Sequence, residues 1–341
     1  MATYKKEKGF TIQSLASDPS PLLEGQVWYN TTSTTLKGSV NVLGVGAWAT
    51  TNPLNNARQQ ADGTGTQTAG LVMGGDYTWP HTYPKWSESY DGTSWTSTNN
   101  LIKGRLNGAA TGTLAASLAI GGSDAPAGQM DEVETWNGTC WSEGNDLLIG
   151  RRAGTGAGTT TAALLAGGDA VPPAGGSLAN TEFYNGTSWS EGADMPSPRS
   201  GAQGGGTQTA AIVAGGGATP PGEARVTEYN GTSWSATPSL NNDKTSGASS
   251  QQGTTTSMLI FGGYDATSPA PTDTGQTESY NGTAWTEVGD MGTARTGVAG
   301  CGGSNTAAVV AGGYNGSTYM AISEEWNVGA DTVTAKTFTA S

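Results

Sequence analysis

The chain has 341 residues, 54 of them glycine, and a formal charge of −13 with only 13% of residues charged. So little charge and so much glycine would suit a disordered chain, but 11 tryptophans and 11 tyrosines at regular intervals do not. The acidic balance argues against a non-specific nucleic-acid binder, which needs clustered lysines and arginines. No apolar run approaches the roughly 20 residues of a membrane helix.

Residues 1–39 come first and carry no repeat. MATYKKEKGFTIQSL has basic residues but no apolar run behind them, so no signal peptide is expected. Within EGQVWYNTTSTTLKG (24–38), Gln26–Tyr29 reads as one strand and Leu36–Lys37 as its return, with a polar turn between. The stretch SDPSPLLEGQVWYNTTSTTLKG resembles a segment of bacteriophage virion structural proteins, those of marine phages in particular. There a short N-terminal module precedes repeat domains. The resemblance implies that residues 1–39 dock to other virion proteins. The alternative is a strand pair that only caps the domain beginning at residue 40.

From residue 40 a repeat takes over. Apolar runs end in Gly-Gly at LVMGG, LAIGG, LLAGG, IVAGG, LIFGG and VVAGG, with first glycines at 74, 121, 167, 215, 262 and 312. The spacing is 46 to 50 residues. Trp48, Trp95, Trp141, Trp189, Trp234 and Trp285 keep the same beat. So do Arg58, Arg105, Arg151, Arg199, Lys244 and Arg295, ahead of each glycine pair. Short apolar runs bounded by turn residues predict buried strands. Asn-Gly, as in YNGTSW (184–189), predicts a tight hairpin whose two central residues take positive φ.

These features together resemble the kelch repeat: Gly-Gly after an apolar strand, a later Tyr, a Trp about 20 residues on, and a basic residue opening the next unit. Six copies cover residues 40–328. The resemblance implies an all-β fold, a six-bladed kelch-type β-propeller of four-stranded blades with a short N-terminal β-hairpin module. The Gly/Ala-rich stretches, such as RSGAQGGG (199–206), fit innermost strands crowded at an axis. Trp48 precedes the first glycine pair, while the last is followed by SEEW but no further NGTxW. The strand near Trp48 is therefore expected to close the last blade. Residues 329–341 read as a C-terminal strand, expected to pair with the N-terminal module.

The turns between strands three and four are near copies. The loops between strands two and three all differ, and variable loops on a rigid scaffold favour function. DYTWPHTYPKWS (76–87) is the richest in aromatics. It offers Asp76, Tyr77, Trp79, His81, Tyr83, Lys85 and Trp86, with Pro80 and Pro84 stiffening it. Tyr264, Asp265, Tyr314 and Tyr319 are candidates on the same face. Flat rings beside charged groups suit a sugar or a protein partner. A loop that buries its own aromatics is the competing reading.

Catalysis finds little support. One histidine and two separate cysteines, Cys140 and Cys301, give no metal cluster, no triad and no disulfide framework. No cofactor or metal is expected. Glu88, Glu134, Glu182, Glu278 and Glu324 share one repeat position, which points to structure. The expectation is a non-enzymatic virion structural protein, tail- or fibre-associated and present in multiple copies per particle. It would be made in the host cytoplasm and carried on the extracellular particle, where it adheres to bacterial surface glycan or protein. A capsid or tail decoration contacting only virion subunits is the alternative. A polysaccharide depolymerase is a third.

Overall fold

The computed structural model describes residues 12–42, 44–78, 83–125, 128–170, 175–217, 223–265, 272–330 and 332–338. Its regular structure is all strand among the described residues. The chain divides into two compact units, one formed by residues 1–45 with 328–341, the other by 46–327.

The first unit is a four-stranded sheet in the order Gln13–Leu15, Val27–Asn30, Thr35–Val42, Thr332–Thr337. The first pair is parallel and the others are antiparallel. At the hairpin, the Asn30 side-chain oxygen accepts the N–H groups of Thr32 (3.1 Å) and Ser33 (2.9 Å). Trp28 is buried on one face, and its indole N–H donates to Asp18. The Lys37 ammonium and the Asn30 amide also donate to Asp18 and hold its carboxyl below the usual carboxylate range. Val27, Tyr29, Val40 and Val42 lie on the opposite face, since Val27 pairs with Gly38. Phe338 lies over Gly38, where a Cβ would come within 2.7 Å of its ring. All five apolar side chains are exposed.

The second unit is a β-propeller in which the described residues form six four-stranded sheets. The first holds Asp62–Thr66, Ala69–Met73, Ser87–Tyr90 and Trp95–Ser97. The next four begin at Ala109, Thr155, Gln203 and Ala248 and repeat the order. The sixth takes Ala299–Gly302, Ala307–Ala311 and Ser323–Val328, and its outer strand is Gly46–Thr51 from the other end of the chain. Innermost strands neighbour one another in sequence order, and the sixth neighbours the first. That crowding explains their glycines: a Cβ on Gly63 would stand 2.6 Å from the Gly300 carbonyl, closer than real atoms approach.

Both faces of each sheet are covered, so the second strands read as continuous apolar runs such as Leu71, Val72 and Met73, all buried. The core lies between sheets. One cluster joins Leu118, Ile120 and Val133 of the second sheet to Leu165, Tyr184 and Trp189 of the third. The tryptophans reach back to the preceding sheet: Trp141 Nε1 donates to Ser87 Oγ, Trp234 Nε1 to Thr181 Oγ1 and Trp48 Nε1 to Thr277 Oγ1. Trp48, on the strand from the start of the unit, is half-buried, whereas the other five are buried.

The Asn-Gly turns differ from the expected two-residue form. Tyr184 pairs with Trp189, so the loop has four residues, 185–188. Only Gly186 takes a positive φ, at +90°. The Asn185 side-chain oxygen instead accepts the N–H groups of Thr187 and Ser188, both at 2.9 Å. Asn137, Asn230, Asn281 and Asp91 do the same. The asparagine serves as an acceptor for the turn, which is why aspartate can replace it.

The recurrent arginines and glutamates are buried pairs. Arg58 meets Glu88 at 3.1 Å and Arg105 meets Glu134 at 2.6 Å; Arg151 meets Glu182 and Arg295 meets Glu324. Each glutamate also accepts a backbone N–H from the connection entering its sheet, as Glu134 does from Ile102 at 2.7 Å. A buried pair of this kind fixes geometry more than it adds stability. Here it ties each connection to the sheet that comes next in the chain.

Candidate functional site

The connections converge on the propeller axis. Two residues beyond each basic residue, the backbone turns left-handed: Gln60, Asn107, Ala153, Gly201, Ser246 and Gly297 all have φ between +50° and +65°. The Asn107 N–H donates to the Gln60 carbonyl, Ala153 to Asn107, Gly201 to Ala153, Ser246 to Gly201, Gly297 to Ser246 and Gln60 to Gly297, at 2.6 to 2.9 Å. This is a closed ring of six hydrogen bonds, each oriented head to tail. Bonds in such a chain polarise one another. Non-glycine residues at positive φ persist where surrounding structure holds them, and the ring supplies that hold.

The ring borders a well of about 550 Å3. Its walls are mostly glycine and alanine backbone, with Arg152, Asp169, Ser177, Gln203 and Tyr264 among the side chains that line it. The Ser177 hydroxyl donates to Asp169 at 2.9 Å. Gln251 crosses the axis. Its amide N–H groups donate to the carbonyls of Ala110 (2.9 Å) and Gly156 (3.1 Å), and its oxygen accepts from the Thr64 hydroxyl (3.0 Å). One side chain of the fifth sheet thus binds the first three and gives the well a floor. In register, Gln251 stands where the other five inner strands carry Gly65, Gly112, Gly158, Gly206 and Gly302.

Asp62 also lines the well. Part of the residue faces the cavity, yet Oδ2 is covered and has no hydrogen-bond partner. Loss of hydration pushes its carboxyl up to about 7, against the opposing pull of Arg105 and the Gly108 N–H.

The residues just before the ring positions bridge to those following each Gly-Gly pair. Gln59 pairs with Asp76, Thr245 with Tyr264 and Thr296 with Tyr314. Three sequence candidates therefore occupy one structural position around the axis. Tyr264 lines the well and is 37% exposed. Asp265 beside it is half-buried. Asp76 is fully buried, and its Oδ2 accepts from the Tyr319 hydroxyl at 3.3 Å. Tyr319 in turn packs on Tyr314, with ring centroids 5.5 Å apart. Tyr77 and Trp86 lean on each other at 4.8 Å, both half-buried. Tyr83 is half-buried and Lys85 exposed. Trp79 and His81 lie outside the described residues. Seven of the candidates fall into three groups: Tyr77 with Trp86, Asp76 with Tyr314 and Tyr319, and Tyr264, which lines the well, with its neighbour Asp265.

Among the described residues no group of three histidine, cysteine, aspartate or glutamate side chains is placed to hold a metal. Both cysteines are free.

No protein-family model matches the chain, and no curated protein matches it. Solved structures do. That of YjhT superposes with a TM-score of 0.66 at 12% identity, covering 83% of this chain and 99% of its own. At that identity the likeness is one of fold.

Proposed function

We propose that the chain is a bacteriophage virion structural protein with a kelch-type propeller, a tail- or fibre-associated adhesin that binds host surface glycan without catalysis. The observation that carries this reading is the well at the axis, with a few polar side chains in its wall, on the face where the non-repeating loops begin. Sparse polar side chains over a rigid backbone wall, with an exposed tyrosine at the side, suit a sugar ring. The N-terminal unit supports docking to other virion proteins. Its sheet exposes Val27, Tyr29, Val40, Val42 and Phe338 on one face, each between 37% and 56% exposed.

Two readings compete. The tilted contact of Tyr77 with Trp86, with ring centroids 4.8 Å apart, uses ring surface inside the loop and favours a decoration protein. The raised carboxyl of Asp62, in a cleft with Asp169, favours a glycan-cleaving enzyme. Against cleavage, four of the recurrent glutamates are committed to arginine and all five to backbone N–H groups.

The test is binding of the purified chain to a panel of bacterial surface polysaccharides, with a Tyr264→Ala, Asp169→Ala double variant alongside. Circular dichroism checks that the variant folds. A tenfold or greater loss in the folded variant is expected. No binding by the wild type turns the assignment to decoration. Release of new reducing ends, abolished by Asp62→Asn, turns it to a depolymerase.

A further inference from the structure

The fourth sheet breaks the arginine–glutamate pattern. Strand register puts Glu88, Glu134, Glu182, Glu278 and Glu324 opposite Val72, Ala119, Leu165, Ile260 and Val310. In the fourth sheet Thr227 holds that place, opposite Val213. The partner donor has changed with it. Elsewhere the first backbone N–H donated to the carboxylate belongs to Asn55, Ile102, Leu148, Asn241 or Gly292, at 2.6 to 2.8 Å. Each of these follows a buried Leu or Met. In the fourth connection the residue after Met195 is Pro196, which has no N–H. Acceptor and donor have been lost together, and the cation has been kept.

Arg199 is 2% exposed. Its Nη1 donates to the carbonyls of Val213 (3.2 Å) and Arg225 (2.8 Å), while Nε has no acceptor. The Thr227 hydroxyl is equally buried and has no partner. Among the described residues Arg199 forms no ion pair. Other arginines of the series also carry nitrogens without acceptors, but Arg58, Arg105 and Arg295 each face a glutamate. Burial, and then the nearby charge of Arg225, push the Arg199 guanidinium down to about 10, with Glu223 opposing. Arg225 is engaged at the surface with Glu223 and with the Ser197 hydroxyl. A buried charge is strongly destabilising unless something of opposite sign meets it.

We propose that Arg199, the Thr227 hydroxyl and the Ser197 N–H hold a small monovalent anion of chloride size, in the place that a glutamate carboxylate takes in the other five sheets. The Ser197 N–H fits this role by position: Lys103, Ile149 and Asn242 donate to the glutamate from the equivalent place. Threonine is shorter than glutamate, so the space released is about that of the missing carboxylate head. Burial selects an ion that gives up its hydration readily, as halides do.

The experiment is diffraction from crystals grown in bromide, with melting measured in chloride against a bulky organic anion at constant ionic strength. An anomalous peak within hydrogen-bonding reach of Thr227 Oγ1 and Arg199 Nη2, the nitrogen that meets the glutamate in Arg58, Arg105 and Arg151, is expected, with a melting temperature that rises with chloride. Thr227→Glu supplies the anion covalently, so its melting should no longer respond to chloride. Thr227→Val removes one ligand and should weaken the halide response about tenfold. A bromide map without that peak overturns the proposal whatever the variants do. A chloride response that survives unchanged in Thr227→Glu also overturns it.

Discussion

Asp62 shows how one residue can report on the well. Its carboxyl is raised from an ordinary 3.8 to about 7. Between those values the folded chain binds a proton that the unfolded chain releases. Stability therefore falls as pH rises through that window, and the loss is complete above about 7. Asp62→Asn keeps the shape and removes the charge. The variant should match the wild type near pH 4 and exceed it above pH 7, read by chemical denaturation at several pH values. A difference that does not change with pH would show that the carboxyl titrates normally. The cysteines contrast with this. Burial pushes the Cys301 thiol up to about 12, while Cys140 is exposed on a turn, so only Cys140 is open to reagents in the folded chain.

At the scale of elements, the turn and the tryptophan beside it differ in weight. Asn185 orders an exposed loop through two hydrogen bonds, whereas Trp189 is buried between two sheets. Asn185→Ala should cost about 0.5–1.5 kcal/mol and Trp189→Ala about 3–5 kcal/mol, measured by urea unfolding. Equal costs would mean that the turn, not the inter-sheet core, specifies the repeat. The sequence made these elements legible because each is local and repeated, the turn five times and the tryptophan six. Glycine pairs marked strand ends, and tryptophan spacing marked sheets. The ring at the axis was hidden for the opposite reason. Gln60, Asn107, Ala153, Gly201, Ser246 and Gly297 share no side chain, only a backbone conformation, and no residue pattern announces it. Arg199 was in plain view as one of the recurring basic residues, but the loss of its glutamate partner shows only in the register that puts Thr227 opposite Val213.

At the scale of the molecule, the ring of sheets is closed by a strand from the far end of the unit. Gly46–Thr51 lies beside Ser323–Val328, and Trp48 packs on Phe261 at 4.9 Å and on Trp326 at 5.7 Å. Without that strand, Ser323–Val328 becomes an open edge with unpaired backbone groups, a template for pairing with other chains. The sixth sheet would also lose the tryptophan that covers the fifth. The inner strands would still neighbour one another, and the hydrogen-bonded ring at the axis uses no residue of 46–51. A chain beginning at Asn52 should therefore keep much of its strand content by far-ultraviolet circular dichroism, yet associate in sizing chromatography and melt well below the full chain. Adding a peptide of residues 44–52 should restore the unassociated form in proportion to its concentration. If the shortened chain stayed unassociated with an unchanged melting temperature, closure by this strand would not be what holds the ring together.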